Sequence, residues 1–392
     1  MAIWCQMFVY FGIVLTAGVF LGFIIFLPFS WPVRLILSLT AFLGAARVAV
    51  LRAVCGGIGG IEAPKIILFI TSFIQGLLVI LLLLGLARLL ILGLSFLLSF
   101  CPGWFGQLFK TFRSLIIGPK ASLAILLISA VISGYSLYEA ARVPRVREAE
   151  VTIPAWPNAL DGLTVAILGD MHISRFFDEP WVRKVVDRTM DLKPDLILLP
   201  GDMVDGSVEQ RKNDVAPLAD LKAPFGVLAS VGNHEYYSGV KEWLPAFEKL
   251  GLKILYNSHV VILPHGAPLI IAGLTDLTAL EPRFNLPGPS LEQALAGAPP
   301  DVPVVLLEHR PVRARINALN PRIIWQISGH THGGMLPILK SAVRKVNGGF
   351  VVCWYDIEKL KLFVQPGLGL WNGFPMRLFD PSEITFLTVR SA

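Results

Sequence analysis

Ile323-Ile324-Trp325-Gln326-Ile327-Ser328-Gly329-His330-Thr331-His332-Gly333-Gly334 runs from an apolar stretch straight into two histidines. Ile323–Ile327 has the continuous apolar character of a strand buried on both faces. Working outward, the same join recurs. Thr164–Gly169 precedes Asp170 and His172, and Asp195–Pro200 precedes Asp202. Gly226–Val231 precedes Asn233, His234 and Glu235, and Val302–Leu307 precedes His309. Leu269–Ala272 is a further buried strand, and Val151–Pro154 an early one. Glu179–Leu192 and Val240–Leu250 carry helical spacing, with Gly251 placed to cap the second. Alternating strands and helices predict an α/β domain.

Ligands of open α/β sheets gather at the carboxyl ends of strands. A lone Asp there is usually a turn or cap residue, and a lone His is more often packed than ligating. Five strand ends that all deliver Asp, Asn or His change that balance. They use five of the seven histidines. His259 and His265 fit no strand end and are expected on surface loops.

The first third of the chain is different. Residues 1–33 carry no charged side chain. Phe8–Phe29, Ile66–Ala87 and Ala121–Tyr138 each supply the ~20 apolar residues that cross a bilayer. Arg34–Leu51 is a fourth, marginal span, because Arg47 must snorkel or the segment lie in the interface. Arg88 interrupts the run that continues as Leu89–Phe100, giving one long tilted helix or a helix and a re-entrant piece. A cleaved signal peptide fits poorly, since no basic region precedes the first apolar run and more spans follow. The clear spans hold no Asp, Glu or His, so an anchor is expected rather than a transport path.

Of the net +6, residues 1–150 supply eleven Lys/Arg against four Glu, or +7, which leaves the remainder near −1. The basic excess therefore flanks apolar segments and points to lipid headgroups. The near-neutral second part argues against nucleic acid as a partner. With four spans and the N-terminus inside, six basic residues lie on inner loops against four on outer ones, a slight preference for a cytoplasmic second part of an inner-membrane protein. Cys5, Cys55, Cys101 and Cys353 form no paired spacing, so neither a disulfide framework nor a cysteine metal site is expected.

Read in order, the segments are Gly169-Asp170-Met171-His172, Gly201-Asp202-Met203-Val204-Asp205, Gly232-Asn233-His234-Glu235, His309, and Gly329-His330-Thr331-His332. This ordered set resembles the calcineurin-like metallophosphoesterase family over roughly residues 160–335. The GHTHGG form and the later Pro366-Gly367, Arg377 and Pro381-Ser382-Glu383-Ile384 look like its bacterial membrane-linked branch. The resemblance implies a four-layer α/β/β/α sandwich preceded by an α-helical transmembrane region. Residues 1–140 would be the membrane region, 141–160 a linker and first strand, and 161–392 the metallophosphoesterase domain.

It also implies two divalent metal ions. Asp170, His172, Asp202 and His332 would hold the first; Asp202, Asn233, His309 and His330 the second. Mixed carboxylate, imidazole and amide donors suit Mn, Fe, Zn or Mg. Such ions about 3.5–4 Å apart activate a hydroxide for in-line attack on phosphorus. His234 matches the family's proton donor, and Glu235, where many relatives carry Asp, would orient it. Asp205 is expected as a structural cap, Asp276 has no assigned role, and Arg175 is a candidate contact for substrate phosphate. Met335 stands where many relatives carry Gln. The expected function is hydrolysis of a phosphate ester or pyrophosphate near a membrane, on a small-molecule or lipid-linked substrate. Two alternatives are a UDP-diacylglucosamine pyrophosphate hydrolase of lipid A synthesis and a membrane protein whose phosphoesterase-like domain only regulates.

Overall fold

The computed structural model describes residues 2–56, 60–371 and 373–392, with side chains from residue 9 onward. The chain forms two compact units, one ending at Tyr138 and one running from Glu139 to Ala392.

The first unit is helical. It comprises α1 (Ala2–Gly22), α2 (Trp31–Ala45), α3 (Arg47–Cys55), α4 (Lys65–Leu98), α5 (Gly103–Ile117) and α6 (Pro119–Ala141), the last ending in the second unit. Three helical segments are long and apolar enough to cross a membrane: Val9–Phe26, Lys65–Leu98 and Pro119–Ala141. A fourth follows if α2 and α3, bent by 67°, count as one span.

Two arginines lie buried within the helical unit. Arg47 does not snorkel; it is buried, and its Nε donates to Gln75 Oε1 at 2.8 Å. Arg88 leaves α4 continuous from Lys65 to Leu98, the single long helix of the two alternatives, but its side chain is buried. Its guanidinium donates to Ile116 O at 2.7 Å and to Ile117 O at 3.1 Å, and lies 4.0 Å over the Phe26 ring. Those carbonyls end α5 and lack helical donors, so they satisfy the buried charge. α5 itself, an amphipathic helix, was not foreseen.

The second unit is built on two six-stranded mixed sheets. The strands are β1 (Arg145–Ile153), β2 (Leu163–Ile167), β3 (Leu196–Leu199), β4 (Val227–Ala229), β5 (Lys253–Ile254), β6 (Ser258–Ile262), β7 (Leu269–Gly273), β8 (Val304–Leu307), β9 (Ile323–Ser328), β10 (Cys353–Ile357), β11 (Leu360–Val364) and β12 (Glu383–Ser391). One sheet has the order β1-β12-β2-β3-β4-β5, the other β10-β11-β9-β8-β7-β6. β2 to β5 are parallel, as are β7, β8, β9 and β11. Parallel neighbours need crossovers, which α7 (Glu179–Asp191) and the helix Val240–Lys249 supply.

Alternation along each strand divides the apolar residues between two clusters. Val165, Ile167, Leu196 and Leu198 meet Ile271, Val305, Leu307, Trp325 and Ile327 in one core. Ile270, Ala272, Val304 and Leu306 turn the other way, against Ala314 and Phe350. Both faces are buried, which is why the strands read as unbroken apolar runs. β1 begins earlier than the sequence suggests and pairs in register with β12, Arg145 opposite Glu383 through Ile153 opposite Ser391. An edge strand with a polar outer face gives a weak sequence signal.

Candidate metal centre

The chain leaves β2, β3, β4, β8 and β9 at one side of the two sheets, and each exit carries donor side chains. Asp170, His172, Asp202, His330 and His332 all have positive φ, between 48° and 70°. Asp tolerates this backbone better than most residues, yet it remains costly for non-glycine residues and clusters at functional sites. The loops after β2 and β3 are zipped together. His172 N donates to Asp202 O at 3.0 Å, Ile173 N to Met203 O at 2.9 Å, and Asp205 N to Ile173 O at 2.8 Å. Gly329 is required by close approach, since a Cβ there would stand 2.2 Å from Asp170 Oδ2.

Among the described residues three groups could hold a cation, His172, Asp205 and His234 forming one of them. Asp170, His172 and His332 have ligand atoms within 4.8 Å of one another, and so do Asp202, His309 and His330. His172 Nε2 lies 3.2 Å from His332 Nε2 and 3.7 Å from Asp202 Oδ2; His309 Nε2 lies 3.0 Å from Asp202 Oδ2. Donor atoms sharing one ion through bonds of about 2.1 Å are separated by roughly 3.0–3.4 Å. Among the described residues the buried Asn233 Oδ1 makes no hydrogen bond. The far ring nitrogens are fixed. His309 Nδ1 meets Pro200 O at 3.0 Å, and His172 Nδ1 meets Asp205 Oδ1 at 3.3 Å. A ring that donates from Nδ1 offers the lone pair of Nε2, as a metal ligand must. The residues present therefore fit divalent cations.

The electrostatics say the same. Burial pushes Asp170 up and His330 and His332 down, so each disfavours its charged form. Burial also opposes charge on Asp202, but His309 and His234 hold its carboxyl well below the usual range. His309 rises to about 10 because Asp202 and Asp170 outweigh its burial. A cation placed among these groups would let the carboxylates ionise and the imidazoles stay neutral.

His234 sits at the start of the helix Asn233–Ser238, half-buried, its ring edge-on to His172 at 4.5 Å. Its Nδ1 lies 2.5 Å from Asp205 Oδ1. Burial lowers the His234 pKa, but Asp205 and Asp202 overcome it and raise the imidazole to about 9. Asp205 therefore occupies the place expected for Glu235. The Glu235 carboxylate instead accepts from Asp202 N at 2.9 Å, Met203 N at 2.7 Å, Gly232 N at 2.7 Å and Val204 N at 3.3 Å. Its position at the third residue of the helix turns it back on the backbone, as in a capping box. It locks the Asp202 loop and does not orient His234.

The remaining expectations divide. Asp276 is buried and holds Arg310, whose Nε donates to Asp276 Oδ2 at 3.0 Å. Arg175 is exposed on the loop past His172. His259 is not on a loop; it lies in β6, and its Nδ1 meets Ala294 O at 2.7 Å. His265 does lie in a short turn, Pro264–Gly266. Gln365 and Arg377 were not foreseen as part of the site. Gly169 N donates to Gln365 Oε1 at 2.6 Å, while buried Arg377 donates to Pro366 O at 2.8 Å and Gly369 O at 3.1 Å. They brace the loop on which Gly367 backs Asp170 and His332. A cavity of about 520 Å³ lined by Arg142, Arg145, Arg147 and Glu383 lies apart, with no donor residue in its lining.

Residues 163–334 match the family model described as calcineurin-like phosphoesterase. A Campylobacter jejuni protein, named an uncharacterized metallophosphoesterase, is 32% identical over 287 residues, 73% of each chain. The chain belongs to the calcineurin-like phosphoesterase family. Two relatives named "Transmembrane protein with metallophosphoesterase domain" are also similar. The Danio rerio protein is 32% identical over 279 residues, 70% of this chain and 63% of that one. The Bos taurus protein is 33% identical over 295 residues, 73% of this chain and 65% of that one. The matched segments thus span slightly under two thirds of those two relatives. The metallophosphoesterase domain, an α/β fold of a phosphoester-hydrolase family that uses divalent metals, here accompanies helices apolar enough for a membrane.

Proposed function

We propose that this calcineurin-like phosphoesterase is a multi-pass protein of the cell's inner membrane that hydrolyses a phosphate ester or pyrophosphate beside the bilayer. The observation that carries the reading is the convergence of Asp170, His172, Asp202, Asn233, His309, His330 and His332 from five strand ends onto one edge. Asp170, His172, Asp202 and His332 would hold one divalent ion, and Asp202, Asn233, His309 and His330 another. When bound, the ions supply Lewis acidity toward water and toward phosphoryl oxygens.

The chain's own groups do the rest. Asp205, accepting from Nδ1, keeps the His234 imidazole turned so that Nε2 is free to give a proton to the leaving oxygen. Glu235 holds the Asp202 loop at fixed distance from His234, whose own N donates to Asp202 Oδ1 at 2.8 Å. Arg175, exposed on the loop past His172, is read as a contact for substrate phosphate. The apolar helices make a lipid-linked substrate reasonable.

The test uses the full chain in detergent, metal-stripped and reloaded with Mn²⁺, on bis-p-nitrophenyl phosphate. Turnover that appears with metal and disappears in Asp202→Asn supports the reading. A folded, metal-loaded protein without turnover on this or any phosphoester tried overturns it in favour of a regulatory domain.

A further inference from the structure

Beside the donor residues, and continuing from His234, lie side chains that the chemistry above does not use. His234 and Tyr237 are one turn apart on the helix Asn233–Ser238, with ring centroids 5.4 Å apart. Tyr237 continues to Phe284 at 6.4 Å, and the Arg283 guanidinium lies 5.1 Å over Tyr237 and 4.7 Å over Phe284. Tyr237 and Phe284 are half-buried, so part of each ring reaches solvent, and the two rings with Arg283 form a shelf.

On the other flank stands Arg310, the residue after His309. Asp276 accepts from its Nε at 3.0 Å, and Thr278 Oγ1 accepts from its Nη2 at 2.8 Å. Asp276 also accepts from Thr278 N at 2.8 Å, which closes the set. The Asp276 side chain is 1% exposed, but that of Arg310 is 26% exposed. Among the described residues Nη1 of Arg310 makes no hydrogen bond. Arg310 follows the donor His309 directly, and its partner Thr278 lies in the short helix Leu277–Leu280 that packs against the helix carrying Tyr237. A guanidinium pinned by a buried carboxylate, with one nitrogen open, is preorganised for a phosphoryl oxygen.

We propose that Arg310 and the Tyr237–Phe284 shelf form the substrate subsite: Arg310 Nη1 donates to a phosphoryl oxygen, and the shelf receives a planar ring on the leaving side. The ring would continue from His234, the residue read as proton donor to that same side. This deepens the phosphoesterase reading and rests on it. The substrate class is an organic phosphate whose leaving group presents a planar ring to Tyr237.

The experiment measures binding, not turnover. Phenylphosphonate and methylphosphonate are titrated calorimetrically into the full-length, Mn²⁺-loaded protein in detergent. The wild-type protein is expected to bind phenylphosphonate about 2–10-fold tighter, the size of one aromatic contact. Phe284→Ala and Tyr237→Ala should remove that preference. Arg310→Gln should weaken both ligands by about 10–100-fold, the size of a charge-assisted hydrogen bond, with metal stoichiometry unchanged. Arg310→Lys, which keeps charge but not the fork, should fall between. Equal affinity of the wild type for both ligands overturns the shelf, and no variant is needed to see it. Undiminished binding by a metal-replete Arg310→Gln overturns the arginine. Should the preferences appear in a protein that hydrolyses nothing, the subsite stands and the hydrolytic reading falls. Turnover without the preferences gives the reverse.

Discussion

Replacing Asp205 by Asn separates the two carboxylates offered as partner of His234. Asp205 Oδ1 is 2.5 Å from His234 Nδ1, while Glu235 spends both oxygens on backbone N–H groups. The His234 imidazole is raised to about 9 from the ordinary 6.5, with Asp205 the largest of the charges that raise it. A raised histidine is protonated below its folded pKa and loses its proton as pH rises through it. At pH 8 a pKa of about 9 leaves roughly nine-tenths of the donor protonated, and about 6.5 leaves roughly one-thirtieth. Loss of the whole shift therefore lowers donor-dependent turnover about 30-fold at pH 8; burial, which lowers the pKa, acts to enlarge that fall and Asp202, which raises it, to reduce it. The assay is kcat/KM against pH for two phosphodiesters, one with an alkoxide and one with a p-nitrophenolate leaving group. The alkyl ester should lose activity as pH rises, at a pH closer to 6.5 in the variant, whereas p-nitrophenolate departs without a proton and should respond little. Metal content must be measured as well, since Asp205 also meets His172 at 3.3 Å. A metal-replete Asp205→Asn enzyme with the wild-type profile refutes the assignment, and a shift in Glu235→Gln alone gives the role back to Glu235.

Three further outcomes follow from the same geometry. Gly329→Ala places a Cβ 2.2 Å from Asp170 Oδ2 and should release metal from the His172–His332 side, read as a lower metal-to-protein ratio in a folded protein. Glu235→Ala strips four backbone N–H groups of their acceptor and should destabilise the fold by about 3 kcal/mol or more, read by urea unfolding of the metal-free protein. Chelation should lower the unfolding midpoint, and reloading restore it; at a metal concentration of 100 Kd the linkage is about 2.7 kcal/mol, or roughly 5–11 °C. An unchanged midpoint on chelation would mean that the donors fold without help from a cation.

The parts legible in sequence are those where one residue type can do one thing. Buried parallel strands are apolar on both faces, so β3 and β8 stand out as unbroken runs and β9 as one broken only at Gln326, and the donors at their ends stand out because polar residues have little other reason to follow them. Roles shared between residues were harder. Glu235 adjoins His234 in sequence while Asp205 lies 29 residues before it, and nothing in their order says which reaches the ring. The answer depends on the backbone: Glu235 sits in the first helical turn, where free N–H groups capture it, and Asp205 sits on a loop zipped to Ile173, where its side chain faces His172 and His234. Arg47 and Arg88 show the same limit within the helical unit. A hydropathy reading treats each as an interruption, because the partners that satisfy it, Gln75 in one case and the carbonyl ends of α5 in the other, are 28 residues away along the chain. Arg310 lies beside a donor that the sequence marked plainly, yet its role depends on Asp276 and Thr278, more than 30 residues upstream. Donor identity is thus local information, while the orientation of a proton donor or a phosphate-binding cation is tertiary, and the carboxylate that decides each one sits on a different loop from the group it holds.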